Sequence, residues 1–353
     1  MLDSIRTEPD TVELWDADRI RAWQDYHLSG MSQLISSVNL AHALLALANS
    51  GLLDRLRGDT PRPTEELIAG LDPWMASGTL RYLAVCGVLE EHQGTYRLTR
   101  RGEMLTGDVP LARLGFYLEA YGPVTGRMTD LVTGAARYGV DVTRASGALS
   151  KHSGTVSTSS YTPILLEAMR DTDAHRLLDL GCGGGSLLVE LCQHHPELTG
   201  IGIDIAPAAI DAARDLARRA GVADRVEFAV ADAFAPDTWP EACATAEVIC
   251  GVGVLHECFR DGDDAVVDII NRYAKVVTGQ QTVLIGEPEL RYDNQENDSD
   301  FFLVHVLTAQ GIPRDRAGWL DVFERTELRC RRIYTNAVAG PRTCFYELTP
   351  RVA

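Results

Sequence analysis

The sequence predicts an α/β protein in which a largely parallel sheet flanked by helices follows a mostly helical front end. Three observations predict it. Apolar residues recur at helical spacing in the first hundred residues, and from Leu177 onward short apolar stretches alternate with helical ones. The first of those stretches also runs into Asp179, Gly181, Gly183 and Gly185, with a helix opening at Ser186. A glycine-rich turn between strand and helix lets the backbone come close to a ligand. The next stretch ends at Asp204, 21 residues after Gly183. An acidic residue at that offset is placed to accept hydrogen bonds from a ribose diol.

Composition narrows the function classes. The 353 residues suffice for two domains. The formal charge of −17 argues against nucleic acid and anionic membranes as partners. No apolar run approaches the ~18 residues that span a bilayer. The first residues lack a basic and an apolar segment, so no signal peptide is expected and the protein is expected in the cytoplasm. The eight cysteines include no C-x-x-C pair and read as reduced thiols.

The front end reads in order as follows. Residues 1–30 are acidic, carry Trp15 and Trp23, and form a helical lead-in that could belong to a dimer interface. Leu34, Val38, Ala41, Leu45 and Ala48 mark a helix that Gly51 stops. Thr64, with Glu65 and Glu66, reads as a capped helix start. A third helix passes through Leu80 and Leu83, and Gln93-Gly94 turns a small hairpin. This is a winged-helix order. With 16 acidic and 10 basic residues, residues 1–110 carry a net −6, and the third helix offers only Arg81 to a phosphate backbone. Dimerisation and a substrate lid therefore fit better than DNA binding. Residues 111–165 form a mixed connector. Phe116, Tyr117 and Tyr121 are candidates there for a pocket wall or for core, and Arg127 and Arg144 for an anionic substrate.

Residues 166–353 are expected to form a separate α/β domain. Strands are expected over 176–181, 199–205, 226–231, 247–254 and 282–286, delivering Asp179 and Gly181, Asp204, Asp232, His256 and Glu287. In an open α/β sheet, ligands sit at the carboxyl ends of the strands, where all of these fall. Strands at 329–336 and 343–348 have no helix between them, so an antiparallel hairpin closes the sheet. Ser186 stands where a dinucleotide fingerprint wants Gly or Ala; NAD binding is the alternative reading of the glycine turn.

With these residues in place the chain is similar to the class I S-adenosylmethionine-dependent methyltransferases, a Rossmann-like fold. Asp179-x-Gly181-x-Gly183-x-Gly185, Gly202-Ile203-Asp204 and Asp232 carry the resemblance. With its winged-helix front end the whole chain resembles small-molecule O-methyltransferases. The resemblance implies S-adenosylmethionine as cofactor and a homodimer through the N-terminal domain. It implies that Asp204 holds the ribose, that Asp232 sits near the adenine amine, and that Ile205 and Ala233 also bind the cofactor. Those enzymes carry Leu-His-Asp-Trp after the fourth strand; here Leu255-His256-Glu257-Cys258 keeps the histidine and an acid. His305 lies in an apolar helical stretch, normally a core position. With His256 and Glu257, however, it completes two histidines and a carboxylate, a set that leaves coordination positions open on a metal. The chain then resembles the metal-bearing C-methyltransferases of 2-oxo acids in peptide natural-product pathways. That resemblance implies a divalent Fe, Zn or Mn and methyl transfer to C3 of a 2-oxo acid. It further implies an arginine, Arg144 with Arg127 as fallback, for the substrate carboxylate. Bound water and His152 are candidate bases. A guanidino side chain on the substrate would want an acid, with Glu119 and Glu289 as candidates. The alternative is a metal-free O-methyltransferase in which Glu287 orients His256 as general base.

Overall fold

The computed structural model describes residues 12, 16–277, 281–290, 299–335 and 343–351. Trp15 and the 336 end of the penultimate strand lie outside them. The chain divides into two compact units, Met1–Gly107 and Asp108–Ala353.

In the first unit, helices α1 (Ala17–Leu28), α2 (Met31–Asn49) and α3 (Leu52–Leu56) lead into β1 (Arg62–Pro63) and α4 (Thr64–Leu67). Helix α5 (Pro73–Val85), hairpin β2 (Leu89–His92) and β3 (Thr95–Leu98), and α6 (Arg100–Leu105) complete it. The three strands order β1-β3-β2 and are antiparallel. Gln93 and Gly94 both take positive φ, which a two-residue hairpin turn requires. Leu47, Leu56, Leu67, Leu80, Leu83 and Leu89 form the core. The expected cap at Thr64 is absent: its hydroxyl donates to the Gly94 carbonyl at 2.8 Å, tying α4 to the hairpin turn. Side chains cap other helices of this unit: Asp16 caps α1, Asp72 accepts from the Met75 amide at the start of α5, and Thr99 caps α6. Although polar residues break its apolar run, α2 reaches the length and mean hydropathy of a membrane span. Only its C-terminal half is buried, through Leu44, Leu45 and Leu47, whereas Leu34 and Val38 of the expected apolar face are about half exposed.

The second unit opens with α7 (Asp108–Gly115), a π-helical turn at Phe116–Ala120, α8 (Gly122–Thr125) and α9 (Met128–Thr133). A 27-residue helix, α10 (Ser146–Thr172), follows, although the connector sequence shows no helical apolar period. Its small polar residues Ser146, Ser150, Ser153 and Ser157 line a cavity. Its apolar half, Ile164, Leu165, Ala168 and Met169, packs under the sheet.

Strands β4 (Arg176–Leu180), β5 (Thr199–Asp204), β6 (Val226–Val230), β7 (Val248–Val252) and β8 (Thr282–Pro288) are parallel. Helices α11 (Ser186–His194), α12 (Pro207–Ala220) and α13 (Asp263–Val276) connect them. Helices α14 (Ser299–Leu307) and α15 (Arg316–Glu324) precede β9 (Leu328–Thr335) and β10 (Thr343–Pro350). The seven strands order β6-β5-β4-β7-β8-β10-β9, so the closing hairpin inserts its second strand beside β8 and leaves β9 at the edge. Pairing with β10 carries β8 on to Pro288, so Glu287 lies within the strand and not beyond it. Alternation along β4 sends Leu178 and Leu180 to one apolar layer with α13 and α15. Leu177 goes to the other, with α10, α11 and α12. Both faces are covered, as a parallel sheet requires.

Candidate active site

A cavity of about 500 Å³ opens at the carboxyl ends of β4, β5, β7 and β8, walled by α10 and by residues of α7 and α14. Its cofactor end is the glycine turn. Gly181 takes a φ of +69°, and a Cβ there would stand 2.8 Å from Val254 Cγ1, so glycine is needed for conformation and for space. The Gly183 amide donates to Asp204 Oδ2 at 3.0 Å and the Ala206 amide to Oδ1 at 2.8 Å. These bonds hold the Asp204 carboxylate at the cavity wall. Asp179 is buried beneath it, and burial, followed by the charge of Asp204, pushes its pKa up to about 7.

Among the residues expected at the cofactor, Asp179, Gly181, Gly183 and Asp204 line the cavity, whereas Ile205, Asp232 and Ala233 lie outside its wall. Ile205 is 70% exposed at the end of β5. Asp232 accepts from the Phe234 amide, and its carbonyl accepts from the Trp239 indole. The Ala233 carbonyl accepts from Tyr273.

The other end of the cavity holds the histidines. Glu287 is fully buried and accepts from the amides of Val254 (3.0 Å) and Leu255 (2.7 Å) and from His256 Nδ1 (2.7 Å). A carboxylate in that position makes Nδ1 of His256 a proton donor. His305 Nδ1 donates to the Phe301 carbonyl at 2.7 Å, which likewise fixes its tautomer. The two Nε2 atoms face each other at 3.1 Å. Burial and the neighbouring His256 depress the His305 pKa to about 3, so it stays neutral. Two lone pairs that converge in this way call for a proton or a cation between them.

The third expected ligand is not brought to this pair. Glu257 Oε1 accepts from Arg144 at 3.2 and 3.3 Å and from Gln310 at 2.5 Å. Among the described residues no group of three histidine, cysteine or acidic side chains forms a ready-made metal cage. Arg144 lines the cavity and also donates to the Tyr121 hydroxyl at 3.3 Å. Arg127, the fallback, is instead paired with Asp130 at the surface. His152 is buried against Glu119 at 2.5 Å and does not line the cavity, which removes it as a candidate base. Phe116 and Tyr121 line the wall, and Phe116 stacks on Phe301.

Some cavity residues were not singled out in the sequence. Arg113, from α7, lines the cavity, as do Tyr161 of α10 and Thr343 of β10, whose hydroxyls are hydrogen-bonded at 3.1 Å. Gln310, two residues beyond Thr308, supports Glu257 from outside the wall. Among these, Arg113 alone offered a signal, as a basic residue just before the aromatic pair Phe116-Tyr117.

A methyltransferase-domain family matches residues 177–276, from β4 to the end of α13. The chain is 30% identical over 330 residues to the 2-ketoarginine methyltransferase of Streptomyces arginensis, covering 88% of this chain and 90% of that one. It is 31% identical over 342 residues to the indolepyruvate C-methyltransferase of Streptomyces griseus, covering 93% and 97%. The fold is similar to that of mitomycin 7-O-methyltransferase, with a TM-score of 0.68 at 22% identity over 94% of this chain and 100% of that one. A methyltransferase of calicheamicin biosynthesis, solved with S-adenosylhomocysteine, gives a TM-score of 0.67 at 23% identity over 95% and 100%. With relatives of 30% and 31% identity spanning nearly the whole chain, the chain belongs to the class I S-adenosylmethionine-dependent methyltransferases.

Proposed function

We propose that the protein transfers the methyl group of S-adenosylmethionine to C3 of a 2-oxo acid, forming a building block of a peptide-type secondary metabolite. Two relatives that align along nearly the whole chain are named for 2-oxo acids, and one is named a C-methyltransferase. The observation that carries the reading inside this chain is the histidine pair. His256 and His305 each commit Nδ1 as a donor and turn Nε2 toward a shared point.

That donor set fits a divalent iron, zinc or manganese, with Glu257, next to His256 in the chain, as the proposed third ligand. Bound there, the metal supplies Lewis acidity that draws charge toward the keto oxygen and lowers the pKa at C3. Glu287 orients His256 and fixes its tautomer. Arg144, held by Tyr121, offers its guanidinium to the substrate carboxylate. Asp204 takes the cofactor ribose, Asp179 the charged end of the methionine, Asp232 sits at the adenine, and Ile205 and Ala233 are further cofactor contacts. The protein's main contribution is to aim C3 at the sulfonium methyl.

The exposed apolar residues of α1 and α2 support a homodimer through the N-terminal unit. Eight unpaired cysteines support a reducing, cytoplasmic setting. The test is elemental analysis of wild type beside His305→Ala. Near-stoichiometric transition metal that disappears in the variant, with S-adenosylmethionine binding retained, supports the reading. The His256–Glu287 pair also favours a second reading, an O-methyltransferase in which His256 is the general base. Turnover on a hydroxylated substrate that survives EDTA and metal-free buffers would select it.

A further inference from the structure

The cavity's fixed charges bear on the substrate's side chain. Its acids among the described residues are Asp179 and Asp204, both at the glycine turn, and Glu257, which is tied to Arg144. Neither candidate for a cationic side chain faces it. Glu119 is turned to His152, and Glu289 is held by Arg316 and Tyr346. The corner formed by Arg113, Tyr161 and Thr343 has the opposite character. Arg113 is half-buried and lines the cavity, stacked over the Tyr117 ring at 5.6 Å. Among the described residues no carboxylate lies within ion-pairing distance of it. Beside it the Tyr161 and Thr343 hydroxyls stand 3.1 Å apart. Burial raises the Tyr161 pKa and the charge of Arg113 opposes that rise, which sets the guanidinium near this hydroxyl pair. A guanidinium on the cavity wall that no carboxylate neutralises donates to an oxygen anion or a strong acceptor and repels a cation. Between the corner and His305 the wall is aromatic. Tyr117 abuts Phe116, Phe116 stacks on Phe301, and Phe301 lies 4.2 Å from His305.

We infer that Arg113 is a specificity residue that receives an oxygen acceptor at the far end of the substrate's side chain, so that the preferred 2-oxo acid has an anionic or acceptor-bearing tail and a guanidino tail is rejected. The inference rests on the 2-oxo acid reading above. Two sources share this chemistry, a second carboxylate, as in 2-oxoglutarate, and a phenol, as in 4-hydroxyphenylpyruvate. The test measures binding and turnover separately in wild type, Arg113→Leu and Arg113→Lys. The panel is 2-oxoglutarate, 4-hydroxyphenylpyruvate, phenylpyruvate, 4-methyl-2-oxopentanoate and 5-guanidino-2-oxopentanoate. Calorimetry on enzyme saturated with S-adenosylhomocysteine reads affinity without any need for methylation.

In wild type one of the first two ligands is expected to bind best, and which one identifies the tail. Arg113→Leu is expected to lower the ratio of kcat/KM, and of affinity, for that ligand over phenylpyruvate by about 10- to 100-fold, with most of the change in KM. Arg113→Lys is expected to restore part of it. Equal binding of all tails overturns the inference, as does tightest binding of the guanidino acid. An equal loss for every ligand in Arg113→Leu also overturns it, because Arg113 would then anchor the common carboxylate. If the tail preference appears in binding but no 2-oxo acid is methylated, the inference holds and the proposed reaction fails.

Discussion

His256 owes its orientation to one carboxylate. Glu287 has no exposed surface and gives three acceptor contacts to the segment that carries His256, so Glu287→Gln keeps the shape but offers an amide where the Nδ1 proton points. Metal affinity and kcat are expected to fall together by about 10- to 100-fold, as they do when a buried partner of a ligand histidine is lost. Steady-state kinetics beside metal titration checks this, and an unchanged metal affinity would point to a base role for His256. Asp179 gives a pH signature. Its pKa is raised to about 7 in the free protein, so below pH 7 it is neutral and must lose a proton to meet a cationic cofactor. Cofactor affinity should therefore weaken as pH falls below about 7, by up to tenfold per unit, and Asp179→Asn should flatten that dependence. The same shift means that Asp179 favours the folded state more at pH 4–5 than above pH 7, the reverse of a salt-bridged carboxylate. His256 and His305 were legible in the sequence, one from its place after a strand and one as a polar residue in an apolar run. The Arg144–Glu257 pair was not. Its members stand 113 residues apart, and each was assigned a different ligand.

At the scale of elements, α10 departs most from what its sequence suggests. Serine, threonine and glycine are indifferent or poor helix formers, and the apolar period is missing from its first half. Tertiary contact supplies the order instead. Gly115 at the end of α7 has no room for a side chain, because the His152 ring of α10 would lie 2.3 Å from its Cβ. Gly115→Ala is expected to displace His152, break its contact with Glu119 and destabilise the second unit by about 1–3 kcal/mol. Chemical denaturation of the variant, with cofactor absent, measures it. A loss below about 0.3 kcal/mol would mean that the helices simply slide apart. The parallel strands were legible because a sheet covered on both faces writes continuous apolar runs into the sequence. Their far ends were not, since Glu287 is inside β8 only because β10, more than fifty residues later, pairs there.

For the whole molecule, the glycine turn and the strand count identified the architecture before any coordinates, whereas the insertion of β10 between β8 and β9 depended on pairing across the chain. The N-terminal unit makes a separate prediction. Leu28, Met31, Leu34, Ile35 and Val38 are exposed on α1 and the first half of α2, five large apolar side chains within eleven residues that a lone chain rarely leaves in water. Leu34→Glu together with Val38→Glu is expected to turn a dimer into a monomer in sedimentation velocity, with the far-UV spectrum retained; a wild type that already sediments as a monomer would contradict it. The central claim is the destination of the methyl group. The most direct measurement supplies S-adenosylmethionine labelled with 13C in the methyl to the enzyme with the panel of 2-oxo acids, and reads the product by carbon NMR. The account predicts a labelled methyl bonded to C3, at alkyl chemical shift and coupled to the neighbouring carbon's proton. A labelled methyl at methoxy shift would contradict it and make His256 the base of an O-methyltransferase.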